Sequence, residues 1–479
     1  MAVQLAHHYQ LASNDERALQ YLTMAAERAS HLFANDEASA HYTGAIEVAE
    51  RMALEGALLA SLHRWRGLAL ERLGTFNGAR SDHMAVLQMA RAAGERCLEW
   101  RALLDLGQLW AGRDYARARS YFEQALELAR EMGDPATLAD SLNWMGNWFA
   151  NAEDSRTAVA YHQEALELVE GLNDSQQLAN TLDLLGLAYL LGGNLTASVQ
   201  IYDRAIALSR ELDDRPRLLT GLIARAVSVS VLIMLASVPV QAPPDALGDL
   251  ETAIRIAREI DSPVDEAWAH WALGQLHILR GRFGLAMEAL HSGLRIASTI
   301  GHREYVLANR FVLGVLYSEL LAPEQALRHL TEARALAGEL GSQLHIHYVT
   351  GALAGVHCFL GDMTGAQSCL ETVLSQPTPM DTLGNRYCWT RRAELAMAQG
   401  DPALALEITK ALIASAPGLE PGRVVTYLWW LKGEALAGLG RTDQALCLLQ
   451  AAAHNAQAVG ERFLQWRVHA SLGRLHRAR

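Results

Sequence analysis

Proline is scarce, at 12 residues in 479, and this argues against a chain made mostly of loops or disorder while suiting long helices. Cysteine is scarcer. Cys97, Cys358, Cys369, Cys388 and Cys447 are odd in number and stand at no metal or disulfide spacing, so they read as reduced thiols of a cytoplasmic protein. The N-terminus lacks the charged-then-apolar order of a signal peptide. The longest apolar run, 226–240, is shorter than the roughly 20 residues of a membrane span and is ended by Pro239, Pro243 and Pro244. A buried helix is expected there, and no membrane partner. Positive charge is not in excess either: 41 Lys and Arg face 53 Asp and Glu, a formal net charge of −12, which argues against a nucleic-acid surface. Arg462, Arg467, Arg474, Arg477 and Arg479 gather at the C-terminus, where an exposed cap accounts for them.

Catalytic signatures are missing too. The chain has no His-Glu-x-x-His, no Gly-x-Ser-x-Gly, no glycine-rich dinucleotide turn and no Gly-x-x-x-x-Gly-Lys-Ser/Thr phosphate loop. His7 with His8 and His345 with His347 are the tight histidine pairs, and on a helix both diverge, so neither makes a natural metal site. The expectation is a protein that is not an enzyme, with no catalytic residues, metal, cofactor or bound nucleotide.

What is present is a ladder of small residues at Gly67, Gly107, Gly146, Gly186, Ala226, Gly274, Gly314, Ala354, Ala393, Gly433 and Gly473. The rungs are 39 or 40 residues apart except between Ala226 and Gly274, where eight residues are added. A fixed period of this size marks a stack of repeats. Each repeat reads as two antiparallel helices, as in Leu185-Gly186-Leu187-Ala188-Tyr189, a Gly193-Asn194 turn, then Ala197, Tyr202, Ala205 and Leu208. Gly94, Gly133, Gly301, Gly341 and Gly460 stand where second helices should end. Divisions are expected at 1–55 (linking helices), 56–236 (first half of the array), 237–245 (Pro-rich insertion) and 246–479 (second half).

The order of small, aromatic, glycine, alanine, aromatic and alanine resembles the tetratricopeptide repeat, whose usual period is about 34 residues. The longer period here is similar to the repeat region of bacterial signal-transduction ATPases with numerous domains, the class that includes the maltotriose-sensing activator and cyclase-linked ATPase modules. The opening phrase, Leu5-Ala6-His7-His8-Tyr9 followed by Asp15 to Leu22, Ala25 to Ala29 and Asn35 to Tyr42, resembles the segment that joins nucleotide-binding and sensor parts in that class. The resemblance implies an all-α, right-handed superhelical solenoid of tetratricopeptide-like helix pairs. It also implies a sensor or regulatory module, the C-terminal part of a larger ATPase or transcription regulator, with an apolar face near Leu5, Tyr9 and Leu11 for an N-terminal ATPase domain. A free-standing scaffold for protein–protein interaction is the alternative.

In such an array the first helix of each pair lines the concave groove, at the positions six and three before the rung and those one and four or five after it. In the first half these positions give Asp140, Asn143, Asn147, Asn151, Asn180 and Asp183. Carboxamides there can donate and accept to a peptide or a sugar, with a solvated helix face as the plain alternative. In the second half they turn aromatic, with charges interspersed: Trp268, Trp271, Tyr348, Tyr387, Tyr427 and Trp430, with Arg391, Glu394 and Glu434 close by. Tyr348, Tyr387 and Tyr427 share one register, and a rail of accessible rings is expected, with inter-repeat packing as the plain alternative. The expected occupant is a protein segment or a small-molecule inducer.

Overall fold

Local chemistry starts and stops each helix. Asp174 caps the helix Ser175–Leu191 by accepting from the backbone N–H groups of Gln176 and Gln177, and Asn194 caps Leu195–Glu211 by accepting from that of Ala197. Gly133 ends Tyr115–Met132 in the left-handed region at φ 71°, where a side chain would crowd the following carbonyl. Gly94, Gly341 and Gly460 close their helices in the same way. The computed structural model describes residues 2–32, 34–54, 56–73, 75–111, 113–152, 154–230, 238–239, 245–375, 378–419 and 423–478. Among them there are helices and no strand. Most of the 237–245 insertion, and residues 231–237 of the apolar run, lie outside the described residues; the run's first part, 226–230, is wholly buried in the helix Arg215–Ser230.

Every rung lies in the first helix of a pair, and all but one are buried. At the buried glycine rungs the reason is a large side chain that the second helix presents fifteen or sixteen residues later. A Cβ on Gly107 would sit 2.4 Å from Phe122, one on Gly146 2.5 Å from His162, one on Gly186 2.8 Å from Tyr202, and one on Gly274 2.5 Å from Leu290. Gly473 departs from the expectation: it is half-buried, and a Cβ there would meet nothing within 4 Å, because no bulky side chain is packed onto it.

Contacts divide the chain into two units, one of residues 1–148 and 161–173, the other of 149–160 and 174–479. The first unit stacks successive hairpins over alanine-rich layers, for example Ala26, Ala38, Ala45 and Ala49. Its first helix, Ala2–Leu11, leaves Leu11 exposed, whereas Leu5 and Tyr9 are half-buried. Tyr9 stacks on Tyr21 at 5.5 Å and accepts from Arg17. The largest apolar core of the second unit runs from Leu190 to Leu464, with smaller clusters such as that of Leu406, Leu436 and Leu449 beside it. In that unit the helix Arg462–Ala478 reaches back to the helix Arg303–Glu319, where Arg467 donates to both carboxylate oxygens of Glu319 at 2.7 and 2.9 Å. Arg467 is therefore not part of an exposed terminal cap, as its place in the sequence suggested.

Candidate functional site

Within the second unit, five first helices (Arg303–Glu319, Gln343–Phe359, Leu383–Ala398, Thr426–Gly438 and Arg462–Ala478) surround a cavity of about 580 Å³. The side chains reach it in the register expected for an inner wall. Tyr387 and Arg467 come from six before a rung, Trp430 from three before, Glu394 and Glu434 from one after, and Phe359 from five after. Small residues keep the space open. Gly355 faces Arg391, and a Cβ at that position would come within 3.4 Å of the guanidinium.

The floor of the cavity is ion-paired. Arg391 donates to Glu394 at 2.7 Å and to the Tyr387 hydroxyl at 2.9 Å, Arg467 holds Glu319, and Arg474 donates to Glu434 at 2.9 Å. Tyr427 donates its hydroxyl to the other oxygen of Glu394. Burial opposes the charge of Arg391, but Glu394, Tyr387 and Tyr427 outweigh it and hold the pKa above the ordinary arginine value. Burial raises the hydroxyl pKa of Tyr387 and of Tyr427, so both remain neutral, the first accepting from Arg391 and the second donating to Glu394. Cys358 also lines the cavity, and burial pushes its thiol up to about 11, away from nucleophilic chemistry.

The tyrosine rail needs correction. Tyr348, Tyr387 and Tyr427 share a register but are buried, not open for stacking on a ligand. Tyr387 fills the space left by Gly351 of the preceding repeat, whose Cβ would lie 2.6 Å from the ring. Tyr348 packs between Phe311 at 6.2 Å and Tyr387 at 6.3 Å. These rings serve inter-repeat packing; Tyr387 lines the cavity, and Tyr427 lies outside its lining with its hydroxyl on Glu394. Trp430 is half-buried and donates to Ser471 at 3.0 Å. Trp268 and Trp271 pack half-buried against the core and do not line the cavity. The accessible apolar surface comes from residues the sequence did not single out: Trp466 is 55% exposed, Phe359 53% and Leu321 64%, and all three line the cavity.

The asparagine cluster is also changed. Asn143 is 2% exposed, and its Oδ1 lies 2.9 Å from Nδ1 of His162, the side chain opposite the Gly146 rung. It is a packing residue, since burial of His162 makes a hydrogen-bond partner for the imidazole necessary, and burial holds that imidazole neutral, with a pKa of about 4. Asp140 and half-buried Asn147 complete the first unit's share, and Asp140 lies 3.8 Å from Arg101. In the second unit Asn151, Asn180 and Asp183 are exposed. Loss of hydration raises the carboxyl pKa of Asp140, opposed by Arg101, and that of Asp183, opposed by Arg217. Among the described residues no cluster of three or more His, Cys, Asp or Glu is placed to hold a metal, and no helix is long and apolar enough to cross a membrane.

Residues 137–211 and 390–459 match models of the tetratricopeptide repeat, so the chain contains repeats of that kind. No curated protein matches it in sequence. Among solved structures, the APC/C hetero-tetramer Cut9–Hcn1 is 13% identical with a TM-score of 0.51, over 99% of this chain and 89% of that one. A Rap protein complexed with competence and sporulation factor is 12% identical with a TM-score of 0.49, over 92% of this chain and 98% of that one. BtubC from P. vanneervenii is 20% identical with a TM-score of 0.38, over 44% and 89%. At such identities the likeness to Cut9–Hcn1 is one of fold: an all-α array of tetratricopeptide-like hairpins.

Proposed function

We propose that the chain is a non-catalytic binding module whose second unit holds an extended peptide segment of a partner protein in the cavity described above. One observation carries this reading: the cavity joins an ion-paired floor to exposed Trp466 and Phe359. A peptide main chain offers both donors and acceptors, which the glutamates and arginines of the floor can meet, and its side chains can reach the apolar lip. Arg391 and Trp430 are then floor residues. Asn147, Asn151, Asn180 and Asp183 are proposed as further polar contacts on the walls of their own units. The resemblance of the opening helices to the linking segment of signal-transduction ATPases, together with exposed Leu11, supports a sensor role beside an ATPase domain, with a small-molecule inducer as the other candidate occupant.

Panning a random peptide library against the whole chain tests the proposal. Peptides should be enriched, and Trp466→Ala should weaken the best of them by roughly tenfold, the worth of one well-buried aromatic contact. Enrichment of nothing, or peptides that bind Trp466→Ala as they bind the parent chain, would remove the cleft as the site.

A further inference from the structure

We propose that Leu321 is a specificity-determining residue of this cleft, an apolar lip that takes a bulky aliphatic or aromatic side chain of the bound peptide; the proposal rests on the cleft reading above. The turn between first and second helices recurs through the second unit. At 281, 361, 400 and 440 it is made by glycines with φ of 68°, 78°, 79° and 73°. The same step at 321 carries leucine at φ 57°. Its backbone bonds match those of a glycine turn: Leu321 donates to Ser318 at 3.1 Å and Ala322 to Tyr317 at 2.9 Å, as Gly361 does to Cys358 and Asp362 to His357 at the same distances.

Leucine is a poor occupant of this conformation, since the left-handed region drives Cβ against the following carbonyl oxygen. Burial does not offset the strain, because the side chain is 64% exposed. Among the described residues the other non-glycine positions with positive φ are Ser13, Ala53, Asp213 and Asp261, all small or with short polar side chains. The residue that follows is unremarkable: Ala322 gives Pro323–Leu340 no side-chain cap, and neither do Arg282 and Arg441 after the glycine turns at 281 and 440, so the leucine alone sets this turn apart.

Position separates this turn from its relatives. Leu321 lines the cavity, alongside Phe359 and Trp466, while Gly361 and Gly400 do not. Strain of this kind concentrates where a ligand is gripped. An apolar side chain kept in a strained and hydrated state gains most when a partner side chain covers it.

The test substitutes Leu321→Gly in the full chain, with the best library peptide recovered on the parent chain as the probe. The thermal midpoint should rise by roughly 2–4 °C as the strain is relieved. Affinity for the peptide should fall by roughly tenfold as a leucine contact is lost. Panning repeated on the variant should no longer enrich a large apolar residue at one peptide position. Trp466→Ala, measured in parallel, separates the two claims. Loss of binding in Trp466→Ala with none in Leu321→Gly overturns the role of Leu321 and keeps the cleft. Unchanged binding in both removes the cleft as well. A lower midpoint for Leu321→Gly makes Leu321 a structural residue and also overturns the proposal.

Discussion

Gly107→Ala should destabilise the first unit while Gly473→Ala stabilises the second, although both glycines hold the rung position of their repeats. At Gly107 a methyl group would come within 2.4 Å of Cε1 and 2.6 Å of Cδ1 of Phe122. That ring is 2% exposed and stacks on Trp144 at 5.7 Å, so it has nowhere to go without opening the layer behind it. Overpacking costs about 1–3 kcal/mol for small additions, which exceeds the gain of up to about 1 kcal/mol in helix propensity. Gly107→Leu adds three more carbons to the same clash and should cost more than about 3 kcal/mol. Gly473 meets nothing within 4 Å, and its replacement by alanine should return about 0.5–1 kcal/mol. Thermal unfolding of the three variants checks the account; equal effects at the two rungs would show that close helix crossing is not what selects the small residue.

The second large effect is expected at Arg386. This side chain is fully buried on the helix Leu383–Ala398, and its hydrogen bonds run to carbonyl groups: Met380 at 3.0 Å, Ser415 at 3.2 Å and Leu412 at 2.6 Å, with the Ser415 hydroxyl at 2.9 Å. Two of the carbonyls lie at the C-terminal end of the helix Pro402–Ala414, where a cation satisfies orphan acceptors and complements the helix dipole. Burial lowers the guanidinium pKa to about 10, still well protonated at neutral pH. Arg386→Ala removes the fork, leaves several buried acceptors unpaired and opens a void, at a cost of about 3–5 kcal/mol. Arg386→Lys, a point donor instead of a fork, should fall between alanine and the parent chain. Urea unfolding followed by circular dichroism measures both. A loss under about 1 kcal/mol for the alanine variant would mean that the carbonyls find water instead.

Arg386 also shows where reading by register stops. The rung period placed Gly107, Gly186 and Gly274 in first helices, because small residues at helix crossings recur with the repeat and need no knowledge of the fold beyond it. The same register sent Tyr387, Glu394, Trp430 and Glu434 to the inner wall. It gave direction but not depth. Tyr387 points inward and is nevertheless covered, since Gly351 one repeat earlier lets the ring sink between helices. Asn143 was misjudged for a related reason. Its partner His162 occupies the position opposite a rung, held elsewhere by Phe122, Tyr202 and Leu290, and a polar residue at that place signals a buried partner. Arg467 and Glu319 lie 148 residues apart, and their pairing depends on how far successive hairpins rotate, which no local pattern records. The strain at Leu321 was open to inspection, as glycine fills the same turn at 281, 361, 400 and 440.

Amide hydrogen exchange of the whole chain, with and without the best library peptide, tests most directly the claim that the inner wall of the second unit is the binding surface. Protection should rise in 303–319, 343–359, 383–398, 426–438 and 462–478, the first helices that line the cavity, and at the turn of 321–322, with the second helices 323–340, 402–414 and 442–459 little changed. Protection confined to those second helices, or to the first unit, would contradict the account.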